Sequence, residues 1–383
     1  MTALLARSTP VRLPAPATTP VFGHLWRWTR DPVRLLTEGA RTGPVFRLRL
    51  WRPAVVGYRP EWNRAVLGDL DTFRSRGSLS GLTPYLSAGV VYTDVPAHDP
   101  RRRELNPHFH SRGLAHLQTR LAEAAAARLP ESPFEALEWA GHTVRRMLNA
   151  AFFGGALDER LLAAFLRPLE RPVPGPMLPR PLLFRRLDAA IARVLADPPE
   201  GSLAGALSGM DDAVAETRVA LAAGYDTTAH TLAWALWHLA GAPEWRTAQA
   251  LPLVLDEILR LYPAGWLGSR ITSTDTEVAG VPLRARTLVL YSPLLTHRDP
   301  DLWPHPDEFR PQRFADGGRP AWGFLPFSAG RRTCLGAHLA RAMLLAALTP
   351  WCDGPLTQVS GNPTPTAAIA LRPVGPLLLT RRR

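Results

Sequence analysis

Residues 323–341 read GFLPFSAGRRTCLGAHLAR. Cys334 is one of only two cysteines in 383 residues, and it stands here among glycines and arginines, just before the helix-like run LGAHLARAMLLAAL. Backbone N–H groups at the start of that run, with the positive end of the helix dipole, favour a thiolate at this position. Gly330 and Gly336 let the backbone come close to something bulky, and Arg332 can pair with an anion.

Four readings of that cysteine compete. A buried structural cysteine needs none of the glycines. Zinc wants four ligands, and Cys334 with His338 supplies two on one helical face. A nucleophile needs a base, and no local signature marks one. A haem-thiolate ligand uses everything present: a thiolate, N–H groups that tune it, and flat backbone against a macrocycle. Cys352, in TPWCD, carries no motif and reads as structural.

The rest of the chain narrows the class. Apolar residues make up 46% and charged residues 20%, as in a soluble globular protein. No apolar stretch approaches the roughly 18–20 residues of a membrane span, and the proline-rich opening lacks the pattern of a signal peptide. Two cysteines without C-x-x-C exclude a disulfide scaffold and an iron–sulfur protein. The chain reads as a cytoplasmic enzyme, one domain over 1–383, with residues 1–20 and 380–383 expected to be poorly ordered. A net charge of +12 invites nucleic acid, yet all 45 basic residues are arginine and they are scattered, so no nucleic-acid partner is expected. Absence of lysine removes the usual P-loop and any Schiff base; absence of G-x-G-x-x-G removes the Rossmann anchor.

Periodicity points to mainly α structure with small sheets. Residues 45–58 alternate apolar and arginine and predict a strand, a turn and a second strand; 282–292 predicts another strand. Residues 113–129, 134–153 and 211–240 carry helical spacing. The last would run ~45 Å, with Asp211 and Asp212 at its start and Gly241 and Pro243 at its end. Its apolar residues lie nearly all round, so it should be buried. AGYDTT inside it is then a problem, because Gly224 costs ~1 kcal/mol against alanine and Asp226 is a carboxylate in core. Either Asp226 faces solvent and Thr227 bonds back to a carbonyl, or the helix opens locally over a ligand.

FSAGRRTCLG matches the F-x-x-G-x-R-x-C-x-G signature of the cytochrome P450 family at Phe327, Gly330, Arg332, Cys334 and Gly336. EILR gives an E-x-x-R pair, Glu257 and Arg260, and HPDEFRPQRF resembles the segment that supplies their third partner, Arg313. AGYDTT resembles the family's central-helix motif, and AHDPRR sets His98 and Arg102 four apart. These motifs keep the family's order across residues 94–336, and the resemblance covers most of the chain.

The resemblance implies the cytochrome P450 fold, with haem b between the central helix and the helix after the cysteine loop. It implies Cys334 as the axial sulfur on iron. His98, Arg102, Arg270 and Arg332 become candidates for the haem propionates, Gly224 the room for oxygen, and Asp226 and Thr227 the proton-relay pair. Glu257, Arg260 and Arg313 become structural. A monooxygenase follows, using O2 and two electrons from an external ferredoxin and ferredoxin reductase. The segments expected over the haem (Ser75–Val95, Pro263–Gly268 and around Ala368) are mostly apolar, which fits a small apolar substrate. The short chain and the run EILRLYPAGWLGSRIT look most like small bacterial carotenoid β-ionone-ring hydroxylases. A fatty-acid hydroxylase, with Arg76 or Arg180 meeting the carboxylate, is the alternative substrate reading. A non-catalytic haem sensor or carrier is the alternative of another class. A lipophilic substrate leaves room for contact with a membrane surface.

Overall fold

Phe46 and Leu48 are buried while Arg47 and Arg49 are exposed, so the alternation read from residues 45–58 becomes one face of a sheet. The computed structural model describes residues 12–79, 85, 88–127, 129–130, 133–170 and 180–381. Strand β1 (Val45–Arg49) pairs antiparallel with β2 (Pro53–Gly57), in the register Val45 opposite Gly57. The remaining strands are β3 (Phe73–Arg74), β4 (Phe134–Glu135), β5 (Gly268–Thr272), β6 (Thr276–Val278), β7 (Val281–Leu283), β8 (Leu288–Tyr291), β9 (Thr357–Gly361), β10 (Pro365–Ala367), β11 (Leu371–Pro373) and β12 (Leu377–Thr380). The largest sheet has the order β1-β2-β8-β5-β3, with β2 and β8 parallel. A three-stranded sheet, β4-β12-β9, joins a mid-chain residue pair to the C-terminal segment.

Helices make the body of the molecule. The central helix, Ala213–Gly241, has 29 residues and is apolar on nearly every side, including the buried run from Leu232 to Leu236. It packs against the helices Ala136–Phe153, Pro181–Ala196 and Ala337–Leu348. Burial on all sides is what its composition requires. No helix among the described residues is long and apolar enough to cross a membrane.

Boundaries differ from the sequence expectation in four places, each with a local cause. Asp212 does not cap the central helix; it takes φ 59° and lies 3.5 Å from Arg101. Residues 134–135 pair with β12, and the helix starts at Ala136 with the Glu135 carboxylate accepting the Glu138 N–H. The 113–129 pattern resolves into a short helix to Leu114, a 3₁₀ turn over Ala115–Leu117 and the helix Gln118–Ala126. The 282–292 pattern is broken into β7 and β8 by a turn in which Arg286 adopts φ 68° and Asp275 accepts the Ala285 N–H.

Glu257 and Arg260, on the helix Leu251–Leu261, are both 0% exposed. Their pairing is bidentate, 2.7 Å from Arg260 Nε to Oε2 and 2.9 Å from Nη2 to Oε1. Arg313 Nε reaches Glu257 at 3.1 Å, and the Arg310 N–H donates to it at 2.8 Å. Arg260 also donates to the carbonyls of His297, Pro306 and Glu308. Every donor of this buried group that could be stranded is thus used. His297 continues the network: its Nδ1–H donates to Arg260 O at 3.1 Å, and Leu325 N–H donates to Nε2 at 2.7 Å. Next to Glu257, Asp256 is buried and takes Arg341 from the helix after the cysteine loop at 2.6 Å.

Two measurements test that network. Glu257→Ala leaves Arg260 charged, buried and unpaired, a loss of about 3–5 kcal/mol; denaturant titration should show little folded protein, and a wild-type midpoint would contradict the assignment. Burial, then the charge of Arg260, holds the His297 pKa down at about 3, and burial, then Arg298, holds that of His238 at about 4. The unfolded chain takes up these protons below its ordinary value of 6.5, whereas the folded chain does not. Stability should therefore fall as pH drops from about 6.5 towards 3, and His297→Gln, which cannot take up a proton, should flatten the slope. An equal slope in both proteins would be the contrary result.

Candidate active site

The cysteine loop is built on two left-handed backbone positions, Ser328 at φ 59° and Gly330 at φ 68°. A Cβ on Gly330 would stand 2.7 Å from the Leu67 carbonyl oxygen, so glycine is required there by both conformation and contact. A 3₁₀ turn, Gly330–Arg332, then returns the chain, and Cys334 N–H donates to Phe327 O at 2.8 Å. The Phe327 ring lies under the guanidinium of Arg341, 5.3 Å away. Gly336 sits at the N-cap of Ala337–Leu348, and no heavy atom lies within 4 Å of where its Cβ would be.

Cys334 keeps accessible surface, yet protein atoms surround it densely enough that burial pushes its thiol up. The sulfur therefore borders an internal space. The Gly336 N–H and the charge of Arg102 pull the other way without prevailing. The Gly336 N–H thus favours the thiolate in the direction expected, and a cation bonded to the sulfur would favour it further. Zinc does not supply that cation. His338 is exposed and turned to His110, ring centroids 5.0 Å apart, and no group of three metal-ligating side chains occurs among the described residues.

Basic side chains crowd the same space. His98 and Arg102 project from the helix His98–Phe109, Arg270 from β5, and Arg332 from the loop. The Nε atoms of Arg102, Arg270 and Arg332 are buried with no hydrogen-bond partner among the described residues. Burial, then the charge of Arg270, lowers the Arg332 pKa to about 10, and burial, then Arg332 and Arg102, lowers that of His98 to about 4. Arg332 meets Asp94 at 2.8 Å, and His98 Nδ1 meets Asp99 at 2.8 Å. An anion placed among these groups would be stabilised by all of them, and its charge would raise the His98 pKa again.

The central helix forms another wall. Asp226 is 2% exposed and faces the β10–β11 turn, with the Ala370 N–H donating to Oδ2 at 3.0 Å. Thr227 Oγ1 donates to Ala223 O at 2.7 Å. The helix stays regular through this stretch, so the expected local opening is absent; Thr227 bonds back as the plainer reading had it, while Asp226 is not solvent-facing. A Cβ on Gly224 would meet Leu148, 3.3 Å away on the helix Ala136–Phe153.

The segments expected over this space do meet. Trp266 Nε1 donates to Ala368 O at 3.2 Å, and Leu79 N–H donates to Ser269 Oγ at 3.0 Å. Part of the Ser75–Val95 loop lies outside the described residues. Arg76 and Arg180 are both exposed. Sequence reading passed over Glu216, which is buried, pairs with Arg101 and accepts the Val90 N–H at 2.8 Å, tying that loop to the central helix. The signal that marked Asp226, a carboxylate in an all-apolar helix, marks Glu216 equally.

The family model for Cytochrome P450 matches residues 243–350. The chain is 27% identical to a cyclooctatin synthase of Streptomyces melanosporofaciens, covering 94% of each protein. It is also 27% identical to the cyclooctat-9-en-7-ol 5-monooxygenase of that organism, covering 85% of each. Its fold resembles a crystal structure of a 6-coordinated cytochrome P450 from Thermus thermophilus, with a TM-score of 0.80, 24% identity, and 92% of this chain and 99% of that one covered. The chain belongs to the cytochrome P450 family. A cytochrome P450 is an oxidoreductase, and its cofactor is haem held by a thiolate. The space around Cys334 fits that cofactor: an accessible sulfur that a cation would hold as thiolate, an open face at Gly336, and orphaned guanidinium nitrogens for carboxylates.

Proposed function

We propose that this cytochrome P450 is a monooxygenase that hydroxylates an apolar substrate. Cys334 would hold the haem iron through its sulfur, and His98, Arg102, Arg270 and Arg332 would hold the haem carboxylates. The observation that carries the reading is the buried positive cluster beside an accessible sulfur. When bound, haem supplies the iron at which O2 is reduced by two electrons and one oxygen atom passes to the substrate. Those electrons come from outside the chain, here from a ferredoxin and its reductase in the cytoplasm. Asp226 and Thr227 hold and pass the protons that the reduction consumes. A sensor or carrier would need no buried acid beside an alcohol.

The substrate we favour is the β-ionone ring of a carotenoid, with a fatty acid as the alternative. Trp266, Ala368 and Val90 are buried and apolar on the segments assigned to the substrate side. One relative carries the name of a monooxygenase of cyclooctat-9-en-7-ol, which is consistent with an apolar substrate class. Exposed Arg76 and Arg180 are the groups a fatty-acid carboxylate would have to reach.

Thr227→Ala tests the relay. The variant should fold and bind haem as the wild type does, consume NADPH through a surrogate ferredoxin and reductase, and release peroxide in place of hydroxylated product. Asp226→Glu should keep much of the activity and Asp226→Asn should slow it. Were Thr227 only a packing residue bonded to Ala223, its removal would change stability by ~1 kcal/mol or less and leave product per NADPH unchanged. Product per NADPH oxidised separates the two.

A further inference from the structure

Asp226 is almost wholly buried, and a relay acid must be recharged from solvent. A cavity of about 660 Å³ reaches it. Glu138, His142, Arg145, Glu170, Asp226 and His230 are among its lining residues, and Thr227 is not. Consecutive helical residues are turned by ~100°, so Asp226 stands between the cavity side of the helix and the side that carries Thr227.

His230, one turn on from Asp226, is 3% exposed. Its Nδ1 lies 2.8 Å from the Asp226 carbonyl oxygen and 3.3 Å from Asp226 Oδ1. A carbonyl can only accept, so Nδ1 carries the hydrogen and Nε2 is a bare acceptor. That Nε2 is buried and has no partner among the described residues. A histidine kept only for helix packing has no use for an unsatisfied nitrogen beside a polar cavity. Charged neighbours include Arg372, which acts on both Asp226 and Glu135, and Glu170, which accepts the Tyr225 hydroxyl at 2.5 Å. Arg145 bonds His142 on the cavity wall.

We propose that His230 is the positioning residue that recharges Asp226 from the cavity. An N–H bond forms at Nε2 with a proton drawn from bulk water through the cavity. The Nδ1–H bond breaks, and its proton forms the O–H bond at Asp226 Oδ1. The carboxylate becomes neutral and the imidazole remains neutral in its other tautomer; it returns to the first when Nε2 releases its proton to cavity water and Nδ1 takes one up. Cavity water is thereby kept off the Thr227 side of the helix while protons still cross it. The proposal rests on Asp226 being the relay acid.

The test uses the haem-loaded wild type with His230→Leu, His230→Gln and Asp226→Asn. Deuterium exchange at the imidazole C2 position, read by mass spectrometry, reports water access and titration of His230 without turnover. His230 should exchange, as a ring whose Nε2 meets cavity water must. NADPH oxidation with a surrogate ferredoxin system and β-carotene should fall about tenfold or more in both His230 variants, with a larger solvent isotope effect. Gln keeps a donor to the Asp226 carbonyl, so a structural role would let it restore the wild-type rate. A protected C2 position, or a wild-type rate and isotope effect in His230→Gln, overturns the proposal. A wild-type carbon monoxide spectrum of histidine type would instead overturn the function reading, and C2 exchange would still decide the cavity route.

Discussion

Buried positive charge without enough negative charge is the constraint on which the site depends. Arg102, Arg270 and Arg332 each bury an unpaired Nε, and the charge of one depresses the pKa of the next. Asp94 and Asp99 offset part of this. Beside them sits a thiol that burial pushes up and that a bonded cation would hold as thiolate. A ligand with a cationic centre and an anionic rim meets both demands at once, and haem is such a ligand. Cofactor binding then completes the electrostatics of the fold and adds to its stability by mass action.

The rigid frame for that space comes from a second charged group, satisfied internally. Glu257 and Arg260 bind the helix Leu251–Leu261 to the segment around residues 304–313. His297 carries the network to Leu325 at the start of the cysteine loop, and Asp256 carries it to Arg341 on the helix beyond. The loop is therefore held from both sides before any cofactor arrives. Its tight turn at Gly330, where only glycine fits against the Leu67 carbonyl, fixes where the sulfur stands.

What was legible in the sequence was what is local. A five-position signature within ten residues, a pair three apart on one helix, and a carboxylate inside a largely apolar helix each encode their meaning in spacing, and the fold class followed from periodicity. What was not legible depends on partners far along the chain. The Ala370 N–H that holds Asp226 lies 144 residues away, and the Val90 N–H that holds Glu216 lies 126 away. Spacing likewise cannot show that Leu148 stands opposite Gly224. His230 gave no signal of its own in sequence, since a histidine at helical spacing is ordinary; its meaning appears only when its Nε2 is found unpaired beside the cavity.

The central claim is that the space around Cys334 holds haem through that sulfur. The difference spectrum of the reduced protein with carbon monoxide reads the axial ligand directly. A band at the thiolate position in the wild type, with loss of haem or of that band in Cys334→Ala, is the predicted result. A histidine-type band in the wild type, or an unchanged thiolate band in Cys334→Ala, would contradict it.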